Sequence, residues 1–205
     1  MSCRCIPCVV VCLALAGCTG RPAAIAPPAI DPDELAQAAV EQYDASGDGV
    51  IDTTELTSAP SLRFAQDRID ANNDGKIMAD EIAQFAKRHW VDTAAGIIRI
   101  RCLVTHRGRP LDSAIVTLEP EAFMNGAVKP ASGETRGGMA VLSVSEQDRP
   151  HPNARGVQNG LYLVRISKVV NGRETIPEKY NQQTVLGCEV ADRASYMPGP
   201  VVFNL

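Results

Sequence analysis

Two short stretches carry oxygen-bearing side chains at one spacing. In residues 44–55, DASGDGVIDTTE, positions 1, 3, 5, 9 and 12 are Asp44, Ser46, Asp48, Asp52 and Glu55. In residues 70–81, DANNDGKIMADE, positions 1, 3, 5 and 12 are Asp70, Asn72, Asp74 and Glu81. Each stretch has a glycine at position 6, Gly49 and Gly75, where a sharp turn is needed. Position 7, Val50 in one and Lys76 in the other, offers its backbone carbonyl, so a lysine there is harmless. A hard divalent cation such as Ca2+ takes six to eight oxygens, and a glutamate binding through both oxygens closes the shell. Met78 stands at position 9 of the second stretch and brings no oxygen, a place where water often serves.

This pattern resembles the EF-hand loop, and two copies resemble an EF-hand pair. Together they predict up to two bound Ca2+ ions. Ile51 and Ile77 fall at position 8, where the loops of a pair join by a short β contact. Helices must hold such loops. Asp31 can cap a helix that starts at Pro32, with Glu34 placed as a capping-box acid. Ala36, Ala39, Val40 and Tyr43 then share one face. Leu62, Ala65 and Ile69 lead into the second loop at helical spacing, and Ile82, Phe85, Ala86 and Trp90 follow it on one face. The loops start 26 residues apart. Pro60 stops the first exiting helix after little more than a turn, and Ser61 is placed to cap the next. So short a helix has little apolar surface to hide or expose, which favours a structural module over a sensor. Dockerins are also compact calcium pairs, but their loops usually end in Asp.

Charge follows the same division. Residues 31–92 hold 14 acids and 5 bases, and residues 93–205 hold 10 acids and 13 bases. The acidity is thus confined to the cation loops and their helices. The overall charge of −4 argues against a nucleic-acid partner.

The first 18 residues, MSCRCIPCVVVCLALAGC, place Arg4 before an apolar run that is too short to span a bilayer. Leu15, Ala16, Gly17 and Cys18 resemble the lipobox of bacterial lipoproteins. The resemblance implies cleavage before Cys18 and lipidation of its thiol. It also implies a location in the cell envelope, periplasmic or on the outer surface. Cys3, Cys5, Cys8 and Cys12 would leave with the leader, so Cys18, Cys102 and Cys188 would remain. Residues 19–30, TGRPAAIAPPAI, read as a Pro/Ala-rich extended tether.

After Gly96 the period changes to two. Ile98, Ile100, Cys102 and Val104 alternate with Arg99, Arg101 and Leu103, and Ala114, Val116 and Leu118 alternate next. Further runs lie at 139–144, 161–169, 183–190 and 201–205, with Gly, Pro and Asn between them. The expected fold class is therefore α+β multi-domain. A small helical pair at 31–92 precedes an antiparallel β-sandwich of about seven strands at 96–205.

Gly108, Pro110, Leu111, Ala114, Val116, Leu118 and Pro120 resemble the opening of carboxypeptidase regulatory-like domains, which share a transthyretin-like fold. Gly160, Tyr162, Val164 and Ile166 are similar to that family's G-x-Y-x-V-x-V strand. Residues 176–181, IPEKYN, are similar to a stretch in its bacterial lipoprotein members. Thr135, Arg136, Gly137 and Gly138 depart from the acidic turn usual there. The resemblance implies a non-catalytic accessory module. It also implies that the first strand runs beside one near the chain end. With Cys102 and Cys188 both phased to the interior, a Cys102–Cys188 disulfide is the expectation, and a pair of buried thiols is its alternative.

Nothing in the sequence composes an active site. His89, His106 and His151 have no ligand spacing among them. There is no nucleophile elbow, no phosphate-binding glycine loop and, outside the leader, no C-x-x-C. The expected function is a calcium-binding, lipid-anchored, non-enzymatic binding or scaffolding module. Its partners would be the membrane and an envelope protein or polysaccharide. The alternatives are a dockerin-like module that docks to a secreted enzyme and a small hydrolase built on the sandwich.

Overall fold

The computed structural model describes residues 25–93, 95–191 and 199–205. Helix α1 (Pro32–Tyr43) opens as its capping residues require: Asp31 Oδ1 accepts from the backbone N–H of Asp33 and Glu34 at 3.0 and 3.1 Å. Strand β1 (Val50–Ile51) and a single 3-10 turn (Glu55–Ser58) follow. Next come α2 (Pro60–Ile69), β2 (Ile77–Met78) and α3 (Ala79–Ala86), which ends in a wide turn at Lys87–Val91. The clipped exiting helix expected before Pro60 is that 3-10 turn. Ser61 does not cap α2, however. Pro60 is already the first helical residue with Ala59 before it, and Ser61 lies inside the helix with its side chain buried.

The apolar faces read from the sequence meet inside this layer. Leu62, Ala65, Ile69, Ile82, Phe85 and Trp90 are all buried. Trp90 packs edge-on to Phe85 at 5.5 Å between ring centroids. Burial of a side chain of this size contributes roughly 1.5–3 kcal/mol.

The rest of the chain is β structure: β3 (Ile100–His106), β4 (Arg109–Pro110), β5 (Ile115–Pro120), β6 (Ala131–Glu134) and β7 (Met139–Val144). After these come β8 (Gly160–Ser167), a small hairpin of β9 (Val169–Val170) and β10 (Arg173–Glu174), β11 (Gly187–Val190) and β12 (Val201–Asn204). The main sheet runs β11-β8-β5-β6-β7-β3-β12, with β4 beside β3. The layout is α+β: helices first, then a curled, largely antiparallel sheet. The strand next to β3 near the chain end is β12, and it runs parallel to β3 with Val201 opposite Cys102. The hairpin at 135–138 closes through the pair Arg136↔Met139.

The two-residue period sorts the side chains as expected. Ile100, Cys102, Val104, Val116, Leu118, Ala140, Leu142, Val144, Val164, Ile166 and Phe203 are buried, while Arg101, Val141 and Val202 face outward. Strand β11 differs, because all four of its residues are buried. Cys188 and Val190 are in phase on it. Glu189, phased away from them, is covered too, because α2 packs on that side of the strand. Gly187 permits this approach. A Cβ there would lie 2.2 Å from the carbonyl group of Pro60 and 2.3 Å from the backbone N of Ser61. The helical layer and the sheet consequently share one continuous apolar core.

Two expectations are corrected here. The segment expected to be a tether over 19–30 is packed from Ile25 onward. Its Ile25 carbonyl accepts from Gly96 N at 3.1 Å, and Pro28 and Ile30 are buried. The remainder of the segment, and Cys18 with the whole leader, lie outside the described residues. Second, Cys102 and Cys188 are not bridged; both are buried thiols. Cys102 is on β3 and Cys188 on β11, which share no ladder, so no strand pairing sets their backbones side by side, although the curled sheet leaves the thiols near enough to interact. Burial, and then the neighbouring Cys188, push the Cys102 thiol up to about 12.

Candidate metal centre

Each loop hangs between two helices and is pinned at its middle by β1 and β2. Ile51 pairs with Ile77 and Val50 with Met78, antiparallel, and both isoleucines are fully buried. The contact expected at position 8 is therefore present. It ties the loops back to back around a shared apolar floor.

The loops fold alike because equivalent residues make equivalent hydrogen bonds. In the first, Asp44 Oδ2 accepts from Gly49 N at 2.8 Å, and its Oδ1 accepts from Gly47 N at 2.6 Å and Ser46 Oγ at 3.2 Å. In the second, Asp70 Oδ2 accepts from Gly75 N at 2.9 Å and Oδ1 from Asp74 N at 3.2 Å. Gly49 and Gly75 have φ of +85° and +82°, a conformation that a side chain would strain. Asp48 accepts from Val50 N at 3.1 Å, and Asp74 accepts from Lys76 N at 2.9 Å. Asn72 adds an amide link to Asp74 Oδ2 at 2.9 Å.

The closing glutamates reach across the loops. Glu55 Oε1 accepts from Ser46 N and Oε2 from Asp52 N, both at 2.9 Å. Glu81 Oε1 accepts from Ala71 N and Oε2 from Met78 N, both at 3.0 Å. In each case one oxygen touches the start of the loop and the other the start of the following turn, with the carboxylate between. Asp52 is held as well: its Oδ1 accepts from Thr54 N at 2.7 Å and Glu55 N at 3.0 Å.

As they stand, no three His, Cys, Asp or Glu side chains among the described residues converge closely enough to clasp a metal. The carboxylate oxygens accept from backbone N–H groups of their own loops, which fixes their positions. The donor set nevertheless fits a hard dication. Asp44, Ser46, Asp48, Asp52, Glu55 and the Val50 carbonyl line the first loop. Asp70, Asn72, Asp74, Glu81 and the Lys76 carbonyl line the second. The Asp44 carboxyl is held below its ordinary value, chiefly by the Gly49 N–H, with Gly47, Ser46 and Asp48 adding to it against the opposing effect of burial. It therefore stays ionised and available. The loops differ in exposure. Asp70 and Glu81 are buried, while Asp44 and Glu55 are half-buried.

Sequence reasoning missed two buried glutamates that link this site to the sheet. Glu121, just beyond β5, accepts from Tyr43 Oη at 2.8 Å and Ser61 Oγ at 2.5 Å. Burial raises its carboxyl above the ordinary value in spite of those bonds, and burial followed by Glu121 raises the Tyr43 phenol. Glu189 on β11 is ion-paired with Arg68 of α2. An acid on a strand that alternates normally reads as solvent-facing. Only the docking of α2 reverses that reading for Glu189. His89 makes no metal cluster; it lies against the Phe85 ring at 4.5 Å, and burial first, then Arg88 and Arg68, lower its pKa.

The fold and loops together define the helical layer as an EF-hand pair. The EF-hand family model matches residues 37–58 and 67–86, which contain both loops and parts of their flanking helices. No curated protein and no solved structure matches the chain. No described helix is long and apolar enough to cross a membrane.

Proposed function

We propose that this protein is a calcium-binding, lipid-anchored protein of the cell envelope that acts as a non-catalytic binding or scaffolding module. The observation that carries the calcium reading is the equivalence of the two loops. Each has a glycine at positive φ in position 6 and a glutamate whose two oxygens span the loop, and the pair is joined at Ile51 and Ile77. Such loops hold up to two Ca2+ ions through carboxylates, an amide and backbone carbonyls. The lipobox-like residues before Cys18 support the anchor, and two or more acyl chains give stable attachment. The strand motifs similar to carboxypeptidase regulatory-like domains support a display role for the sheet toward an envelope protein or polysaccharide.

Two measurements test this reading. Wild-type protein should partition with membranes, and Cys18→Ser should release it or leave it unprocessed. Wild type found wholly in the aqueous phase would sink the anchor. Capture experiments from envelope extract, with and without calcium, test the binding role. An envelope protein or polysaccharide retained by the wild type supports it, and no retained species in either condition opposes it.

A further inference from the structure

The helix that enters each loop is held at its last turn by a buried carboxylate from the sheet. Tyr43 is the last residue of α1 and directly precedes Asp44, the first ligand of loop one. Its hydroxyl donates to Glu121, and its ring stands edge-on to Phe123 at 6.2 Å. Ser61, in the helix that follows the same loop, donates to the other oxygen of Glu121. One carboxylate thus ties the helix that enters loop one to the start of α2, the helix that leads on to loop two. Glu121 is fixed in turn, because its backbone N donates to the Leu161 carbonyl at 3.1 Å.

Loop two has its own counterpart. Arg68 lies two residues before Asp70. Its guanidinium is ion-paired with Glu189 and lies near the rings of Phe64 and Phe85, at 5.9 and 5.8 Å. Glu121 and Glu189 are 2% and 0% exposed. Buried carboxylates are costly, and apolar side chains would join two layers at least as well. What these carboxylates add is direction at the two points where the chain enters a cation loop.

We infer that the β sheet is part of the calcium machinery: Glu121, through Tyr43 and Ser61, and Glu189, through Arg68, are positioning residues that set the helices flanking the loops, so loop occupancy and sheet docking are coupled. EF-hand sensors respond to calcium by changing the angle between entering and exiting helices. Here that angle is set from outside the pair, which fits a module that calcium stiffens instead of opening. Coupling of this kind is reciprocal and typically changes affinity by about 5-fold or more. The inference rests on the calcium reading above.

Its test uses the full chain and calcium alone as the probe. In a Glu81→Gln background loop one keeps its closing glutamate, and in a Glu55→Gln background loop two does. Tyr43→Phe removes one hydroxyl and keeps the ring. It should weaken calcium binding about 5-fold or more in the Glu81→Gln background and leave the Glu55→Gln background unchanged. A purely structural tyrosine would not produce that split, and equal affinity with and without the hydroxyl overturns the inference. Hydrogen exchange on the unmutated protein gives an answer that needs no variant. Calcium should slow exchange at residues 121–124 and 187–190 on the sheet side, and unchanged exchange there while the loops are occupied also overturns it. If the wild type binds no calcium, the calcium reading itself falls and takes the inference with it.

Discussion

Gly187→Ala tests the direct seating of α2 on β11. The added methyl would sit 2.2 Å from the carbonyl carbon and oxygen of Pro60 and 2.3 Å from Ser61 N. All three are backbone atoms, so no side-chain rotation relieves the contact, and the backbone of α2 or β11 must shift. Overpacking of this kind costs about 1–3 kcal/mol, and a backbone obstacle argues for the upper end. Replacing glycine returns about 0.4–1 kcal/mol by restricting the unfolded chain. The net loss is about 2 kcal/mol. For a chain of this size that lowers the melting temperature by about 4–8 °C. Gly199→Ala, where a Cβ meets nothing within 4 Å, is the control and should fall within about 0.5 kcal/mol of wild type. Thermal melts of the three proteins, metal-free, decide the matter. A Gly187→Ala protein that melts with the control would refute the close packing of helix on strand.

Three further outcomes follow from other parts of the structure. Calorimetry on Glu55→Gln and Glu81→Gln should show the larger loss of calcium affinity for Glu55, because loop one has four carboxylates and loop two has three, and charge count tunes affinity; a larger loss for Glu81 would mean that the burial of Asp70 and Glu81 outweighs charge. Stability should fall as pH rises past about 9: Cys102 goes from 9.0 to about 12 in the fold and the phenols of Tyr43 and Tyr162 are raised as well, so the folded state holds these protons where the unfolded chain has released them. Cys102 alone amounts to about 4 kcal/mol by pH 12 at 1.36 kcal/mol per pH unit, and equal urea midpoints at pH 8 and pH 10.5 would contradict this. Cys102 and Cys188 should resist a thiol reagent in the native protein and react together once it is unfolded, whereas a bridged pair would react in neither state.

Much of the site was legible because it is local. Twelve consecutive residues suffice to write a cation loop, and the position-8 isoleucines announce their pairing. The helix faces were legible for the same reason: Ile82, Phe85 and Trp90 declare one side by spacing alone. Strands β3, β5, β7 and β8 were legible in their two-residue period, whereas the short β4 and β6 were not read as strands. What was not legible depends on elements far apart in the chain. Ser61 looked like a cap until Pro60 took the first helical position and Glu121 its hydroxyl. Glu189 looked solvent-facing because nothing near it announces that α2 lies on top. The Cys102–Cys188 expectation assumed that the strand beside β3 carries Cys188, whereas β12 occupies that place. The tether misread has a similar cause. Proline and alanine suit an extended chain, but Pro28 and Ile30 can also be buried by a surface that forms elsewhere.

Calcium titration of the full chain by calorimetry is the most direct measurement of the central claim. Binding at up to two sites is expected, lost stepwise on Glu55→Gln and Glu81→Gln, with a melting temperature that rises with calcium concentration. A chain that takes up no calcium at millimolar concentrations, the range in which extracellular modules of this kind are filled, would contradict it.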